Sequence, residues 1–189
     1  MFTVTNDILR TVVQFVKQGD RGQLLALDIF PAALYATDAD GVITYFNPAC
    51  IGFAGRRPSV GRDRWCVTWK LYTNDGDFLP HDQCPMAVAI QTGEPVRGAT
   101  AIAERPNGTR VNFMPFPTPV IGGDGKLLGA VNVLLDIGDR GCFALRDFDD
   151  DLRAWRSLLV ESALANFTLE EIRNLTGEIE AELRRHVLH

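Results

Sequence analysis

The stretch from Leu34 to Phe46 restricts the fold more than any other. Two short runs of β-forming residues, Leu34 to Thr37 and Val42 to Phe46, flank Asp38-Ala39-Asp40-Gly41. Aspartates bond their own backbone and glycine accepts a left-handed conformation, so this turn predicts a β-hairpin. Asn47-Pro48 follows, and the pair predicts a helix with Asn47 as N-cap and Pro48 at the first helical position. Residues 55–80 carry Gly, Pro, Asn and Asp throughout and are expected to be irregular. Asp82 is then placed to cap a helix through Met86, Ala87, Ala89 and Ile90 that ends at Gly93.

Three further strands are predicted, Val96 to Glu104, Val111 to Thr118 and Leu127 to Ile137. Pro106-Asn107-Gly108-Thr109 and Gly122-Gly123-Asp124-Gly125 supply the turns between them. In the last strand Val131, Val133 and Leu135 alternate with Ala130, Asn132 and Leu134, the period of a pleated strand. Two strands, a helical stretch and three strands make an α+β domain: a five-stranded antiparallel sheet with helices on one face.

Helical patterns flank this unit. Ile8, Leu9, Val12, Val13, Phe15 and Val16 recur at helical spacing between Asn6 and Gln18, and Gly19-Asp20 ends the pattern. A shorter piece, Gln23 to Ile29, stops before Pro31. Beyond the linker Gly138 to Gly141, Leu152, Trp155, Leu158, Leu159 and Leu164 mark one helix. Thr168 with Glu171 forms a capping box that opens another through Ile172, Leu175, Ile179 and Leu183. The organisation read from these patterns is an N-terminal amphipathic helix over 1–23, a central domain over 24–137 and a C-terminal helical pair over 138–189. The stripe Ile8, Val12, Phe15 and Val16 needs a cover, and a second copy of the chain is the expected one, making a homodimer.

Composition excludes several classes. At 46% hydrophobic and 23% charged, the 189 residues belong to a folded protein with one core of ordinary size. The net charge of −5 argues against nucleic-acid binding. The densest basic group, Arg56, Arg57, Arg62 and Arg64, is interrupted by Asp63 and reads as a solvated face. No apolar run approaches the ~20 residues of a spanning helix, and no export signal is visible, so neither membrane insertion nor secretion is expected. Cys50, Cys66, Cys84 and Cys142 form no CxxC pair and read as reduced thiols of a cytoplasmic protein.

The segment from Asp38 to Ala49 follows the pattern D-x-D-G-x-I-x-x-x-N-x-A and resembles the opening of a PAS domain. Trp65 to Tyr72, Leu79 to Ala87, Glu104 to Arg110 and Gly129 to Ile137 resemble a bacterial PAS subgroup usually found ahead of sensor histidine kinases. The likeness runs over about residues 24–137. It implies a sensory or adaptor module of bacterial signal transduction that binds a small molecule or a signalling protein. The C-terminal part has no phosphoacceptor histidine followed by a nucleotide-binding region, and ~50 residues are too few for an ATP site. The signal is therefore expected to pass through the flanking helices, by dimer rearrangement or by docking.

By alternation and by this resemblance, a ligand pocket between sheet and helix would be lined by Tyr45, Met86, Ile90, Phe113, Val131 and Val133. Asn112 and Asn132 would offer polar contacts. No particular cofactor is evident, and a haem- or flavin-binding cofactor sensor, with any flavin held non-covalently, is the alternative reading. The light-sensing branch of the fold needs a G-x-N-C-R-F-L-Q segment beside its flavin, and here Arg64 stands where that cysteine belongs, with Cys66 two residues on. A haem would need an axial ligand, and His81 is the one histidine of the central domain; at the start of a helix its side chain is expected to point outward. Cys66, His81 and Cys84 make an incomplete zinc set, so no metal is expected. Gly122 to Gly125 lacks the Lys-Ser/Thr of a phosphate loop. No Ser/His/Asp set or polar pair deep in the core suggests an enzyme. A DNA-binding reading of residues 149–188 is opposed by their acidic character.

Overall fold

The computed structural model describes residues 27, 28, 30 and 32–138. The predicted helices before residue 24 and after residue 138 lie outside the described residues, as does the stripe Ile8, Val12, Phe15 and Val16. The first hairpin forms as expected, from β1 (Ala33–Asp38) and β2 (Ile43–Phe46). The Asp38 carboxylate accepts from the backbone N–H of Asp40 at 3.0 Å and of Val42 at 2.9 Å. Gly41 turns the chain at φ 79° directly against the Trp65 ring, where any Cβ would collide.

A helix, α1 (Ala49–Ala54), follows, and the chain then crosses to β3 (Lys70–Tyr72) and β4 (Phe78–Leu79). This second hairpin lies inside the stretch expected to be irregular. Its runs are too short to show a period, and they are extended because β3 pairs with a later strand, Leu71 opposite Ala103. Gly76 at φ 89° closes the turn, with the Thr73 N–H bonded to the Asp77 carbonyl at 2.8 Å.

A 3-10 turn (His81–Gln83) leads into α2 (Pro85–Thr92). Asp82 therefore sits within the turn rather than at the expected cap. The helix starts at a proline, whose missing N–H costs nothing in a first turn, with Cys84 at the cap position and Gly93 ending it at φ 70°.

The remaining strands are β5 (Ala101–Glu104), β6 (Arg110–Pro115), β7 (Thr118–Ile121) and β8 (Leu127–Asp136). The expected strand Val96 to Glu104 is shorter, because its first half leaves the sheet. The strand expected from Val111 to Thr118 is broken in two by Phe116-Pro117. Prolines at 115, 117 and 119 cannot donate to a ladder. The intervening Phe116 N–H instead meets both the Asn132 side-chain oxygen and the Val133 carbonyl, at 2.9 Å each.

Among the described residues all pairings are antiparallel, and the order is β2-β1-β8-β6-β5-β3-β4, with β7 also on β8. Strands β1, β2, β5, β8 and the broken β6–β7 are the five expected; the β3–β4 hairpin extends the sheet beyond β5. One face packs a core against α1 and α2, built from Tyr35, Ile43, Phe53, Leu71, Met86, Ile90, Phe113 and Leu134 among others. Burial of each such side chain contributes about 1.5–3 kcal/mol. None of the described helices is long and apolar enough to cross a membrane.

Candidate functional site

The sequence places eight residues in one pocket, and the pleat of β8 and β6 separates them. Successive strand residues face opposite sides of a sheet. Ala130, Leu134, Val111 and Phe113 belong to the core cluster, so Val131, Val133 and Asn112 face the other way. Val131 and Val133 are buried there, and the Asn112 amide donates to the Gly138 carbonyl at 3.2 Å. The alternation was legible in the sequence, but both registers of β8 look apolar, so the inward one could not be chosen. Met86, Ile90, Phe113 and Asn132 do converge between sheet and α2. Tyr45 lies at the β2 edge, where its hydroxyl donates to Asp28 at 2.7 Å.

Within the core, polar groups form a connected strut. The Asn132 side chain, 2% exposed, accepts from Phe116 N–H and donates to the Tyr35 hydroxyl at 3.0 Å. Tyr35, fully buried, donates in turn to the Trp65 carbonyl at 2.9 Å. Trp65 has φ 67°, rare for a bulky residue, and its N–H bonds the Gly41 carbonyl at 2.7 Å. The strut thus links the middle of β8 to the loop before β3 through β1.

Beside it lie three thiols. Cys50 donates to the Leu34 carbonyl at 3.3 Å, and Cys66 accepts from the Thr68 hydroxyl at 3.2 Å. Burial pushes the thiols of Cys50 and Cys84 up to about 12, raises that of Cys66, and lifts Tyr35 well above its ordinary value. His81, expected to point outward, turns inward, its Nε2 3.4 Å from Thr68 Oγ1. Burial first, then the nearby Arg56, hold its pKa below the usual imidazole value. Thiols, phenol and imidazole are all neutral near pH 7, and a protonated buried thiol is a poor nucleophile. Among the described residues no group of three His, Cys, Asp or Glu side chains is placed to share a metal ion.

The sequence predicts Asn47 as a helix cap. The helix starts one residue later, with Pro48 at the cap position, and only the Asn47 backbone carbonyl meets it, accepting from Cys50 N–H at 3.0 Å. The Asn47 side chain is instead wholly buried, its oxygen accepting from Leu34 N–H at 3.0 Å. Its amide nitrogen faces the carbonyls of Ala32 at 2.8 Å and of Leu27 and Phe30 at 3.3 Å each. The sequence signal for a cap and for this clasp is the same residue before the same proline, and only the neighbouring chain distinguishes them.

No family model and no curated protein matches the chain. Solved structures do. Over 90% of this chain and 99% of the other, it superposes on the Rhodobacter sphaeroides LOV protein with a TM-score of 0.55 at 16% identity. The fold is PAS/LOV-like. Looser likenesses include an RNA-binding light-oxygen-voltage receptor (TM-score 0.47, 22% identity), which matches over 71% of this chain; the chain spans only 36% of that protein. Another is the PAS domain of the fruit-fly ELK potassium channel (TM-score 0.47, 11% identity), over 67% of this chain and 96% of that one.

The covalent flavin adduct of the light-sensing branch does not suit the residues present. Arg64 occupies the position of the reactive cysteine and points to the surface, its guanidinium 5.3 Å above the Trp65 ring and bonded to the Asp40 carbonyl at 2.6 Å. The Phe53 and Phe113 rings meet edge to face at 5.3 Å inside the helix-side core, and Met86 packs in the same cluster. The one cysteine of that loop, Cys66, is itself buried and accepts from the Thr68 hydroxyl.

Proposed function

We propose that this chain is a PAS-type sensory or adaptor module that relays its signal through its flanking helices to a second copy or to another protein, and is not an enzyme. The observation that carries this reading is the division of the sheet into two unlike faces. The helix side is filled by packed rings and a neutral polar strut, which offers neither a charged catalytic pair nor a reactive thiolate. The opposite side presents Leu34, Met114, Val131, Val133 and Leu135, all buried and all apolar. An apolar sheet face is where a helix seats. The Asn132–Tyr35–Trp65 strut joins the two sides, since Asn132 lies between Val131 and Val133 on β8. A shift in the core therefore moves the strand that carries the opposite surface.

The test is a native mass spectrum and an absorption spectrum of one gently purified sample. A colourless protein of bare mass is expected, at twice the chain mass if the relay runs through a homodimer. Visible absorbance with added mass would overturn the reading in favour of a haem or flavin sensor.

A further inference from the structure

A second place on the molecule, away from the core, has the makings of a ligand site. Between β2, α1 and the loop after α1 runs an open groove of about 310 Å³, at the lower end of the ~300–1,000 Å³ range of small-molecule sites. Its apolar lining includes Phe46, Ile51 and Val60, the last 54% exposed. Two opposite charges share it. Asp28 accepts from the Tyr45 hydroxyl on one carboxylate oxygen at 2.7 Å, and among the described residues nothing bonds the other. Arg57 lies with its guanidinium 5.4 Å from the centre of the Phe46 ring, and among the described residues it has no carboxylate partner. Its neighbour Arg56 does, pairing with Asp63 at 2.6 Å.

We infer that this groove binds a small zwitterion with an apolar body, an apolar α-amino acid. Arg57 presents a planar fork suited to a carboxylate, already oriented by the ring beneath it. Asp28 offers its other oxygen to an ammonium, and Phe46, Ile51 and Val60 receive the side chain. A plain carboxylate would leave Asp28 facing a like charge, and a plain amine would leave Arg57 unsatisfied. The groove's own balance of one cation and one anion therefore selects a ligand that carries both.

The test uses the full chain and amide NMR, with L-phenylalanine as probe and 3-phenylpropionate and phenethylamine as its one-charge analogues. L-Phenylalanine is expected to shift the Thr44, Phe46, Ile51 and Val60 signals saturably. Each analogue should bind about tenfold or more weakly, since each forfeits a charge-assisted bond. Arg57→Ala and Asp28→Asn should abolish the shifts, while Arg62→Ala, on the same loop but outside the groove, should leave them. The absence of saturable shifts up to the solubility of the amino acid would overturn the inference. So would equal binding of either analogue, or binding unchanged in Arg57→Ala.

Discussion

The Asn47 side chain has a donor end and an acceptor end, and both are used inside the core, against three carbonyls leading into β1 and one N–H within it. Removing it leaves buried carbonyls and an N–H without partners, each costing ~1–3 kcal/mol. Asn47→Ala should therefore lower the unfolding free energy by about 3 kcal/mol, read from urea denaturation; a loss no larger than a surface substitution's would show that the clasp is not needed. The buried thiols make a second prediction at this scale. In the unfolded chain Cys50 and Cys84 ionise near the ordinary 9.0, and in the fold only near about 12. Their raised values favour the fold fully below pH 9, and that contribution is lost as pH rises toward 12. Stability should fall above pH 9 by about 1.4 kcal/mol per thiol per pH unit. Equal denaturation midpoints at pH 8 and pH 10.5 would contradict this burial.

At the scale of elements, the centre of the sheet depends on how closely β1 and β8 approach. Gly129 lies opposite Asp38 at φ 155°, and a Cβ there would overlap the Thr37 carbonyl. Backbone cannot swing aside as a flexible side chain can, so Gly129→Ala should cost about 2–4 kcal/mol and lower the thermal midpoint seen by circular dichroism. An unchanged midpoint would mean that the strands separate freely. The β3–β4 hairpin is held from its inner side by Leu71, which is fully buried. Leu71→Ala should cost about 2–5 kcal/mol in the same assay. A cost below 1 kcal/mol would mark the hairpin as an appendage rather than part of the core.

At the scale of the whole molecule, the proposed relay requires a partner for the N-terminal stripe. Light scattering of the full chain at micromolar concentration should give the mass of a dimer, and a Val12→Glu, Phe15→Glu double variant the mass of a monomer with an unchanged circular dichroism spectrum. A wild-type monomer would move the output surface to a different protein. The PAS/LOV-like sheet itself was legible in the sequence, because turns such as Asp38 to Gly41 and Gly122 to Gly125 announce themselves and the runs between them alternate. The candidate site was legible only in part. Of the residues assigned to one pocket, Met86, Ile90, Phe113 and Asn132 lie on the helix side of the sheet, whereas Val131, Val133 and Asn112 face away.

What the sequence determined by itself is local: where the chain turns, which segments between turns are extended, and that the second helix ends at Gly93. Those features follow from φ preferences and hydrogen bonds spanning a few residues. Tertiary structure alone decided the rest. It chose which register of β8 faces inward, drew residues 70–79 into the sheet by pairing them with β5, and turned Asn47 from a cap into a clasp. It also brought Arg57 and Asp28 to one groove. Each depends on groups distant in sequence, whose desolvation and pairing outweigh the local preference once the chain is compact.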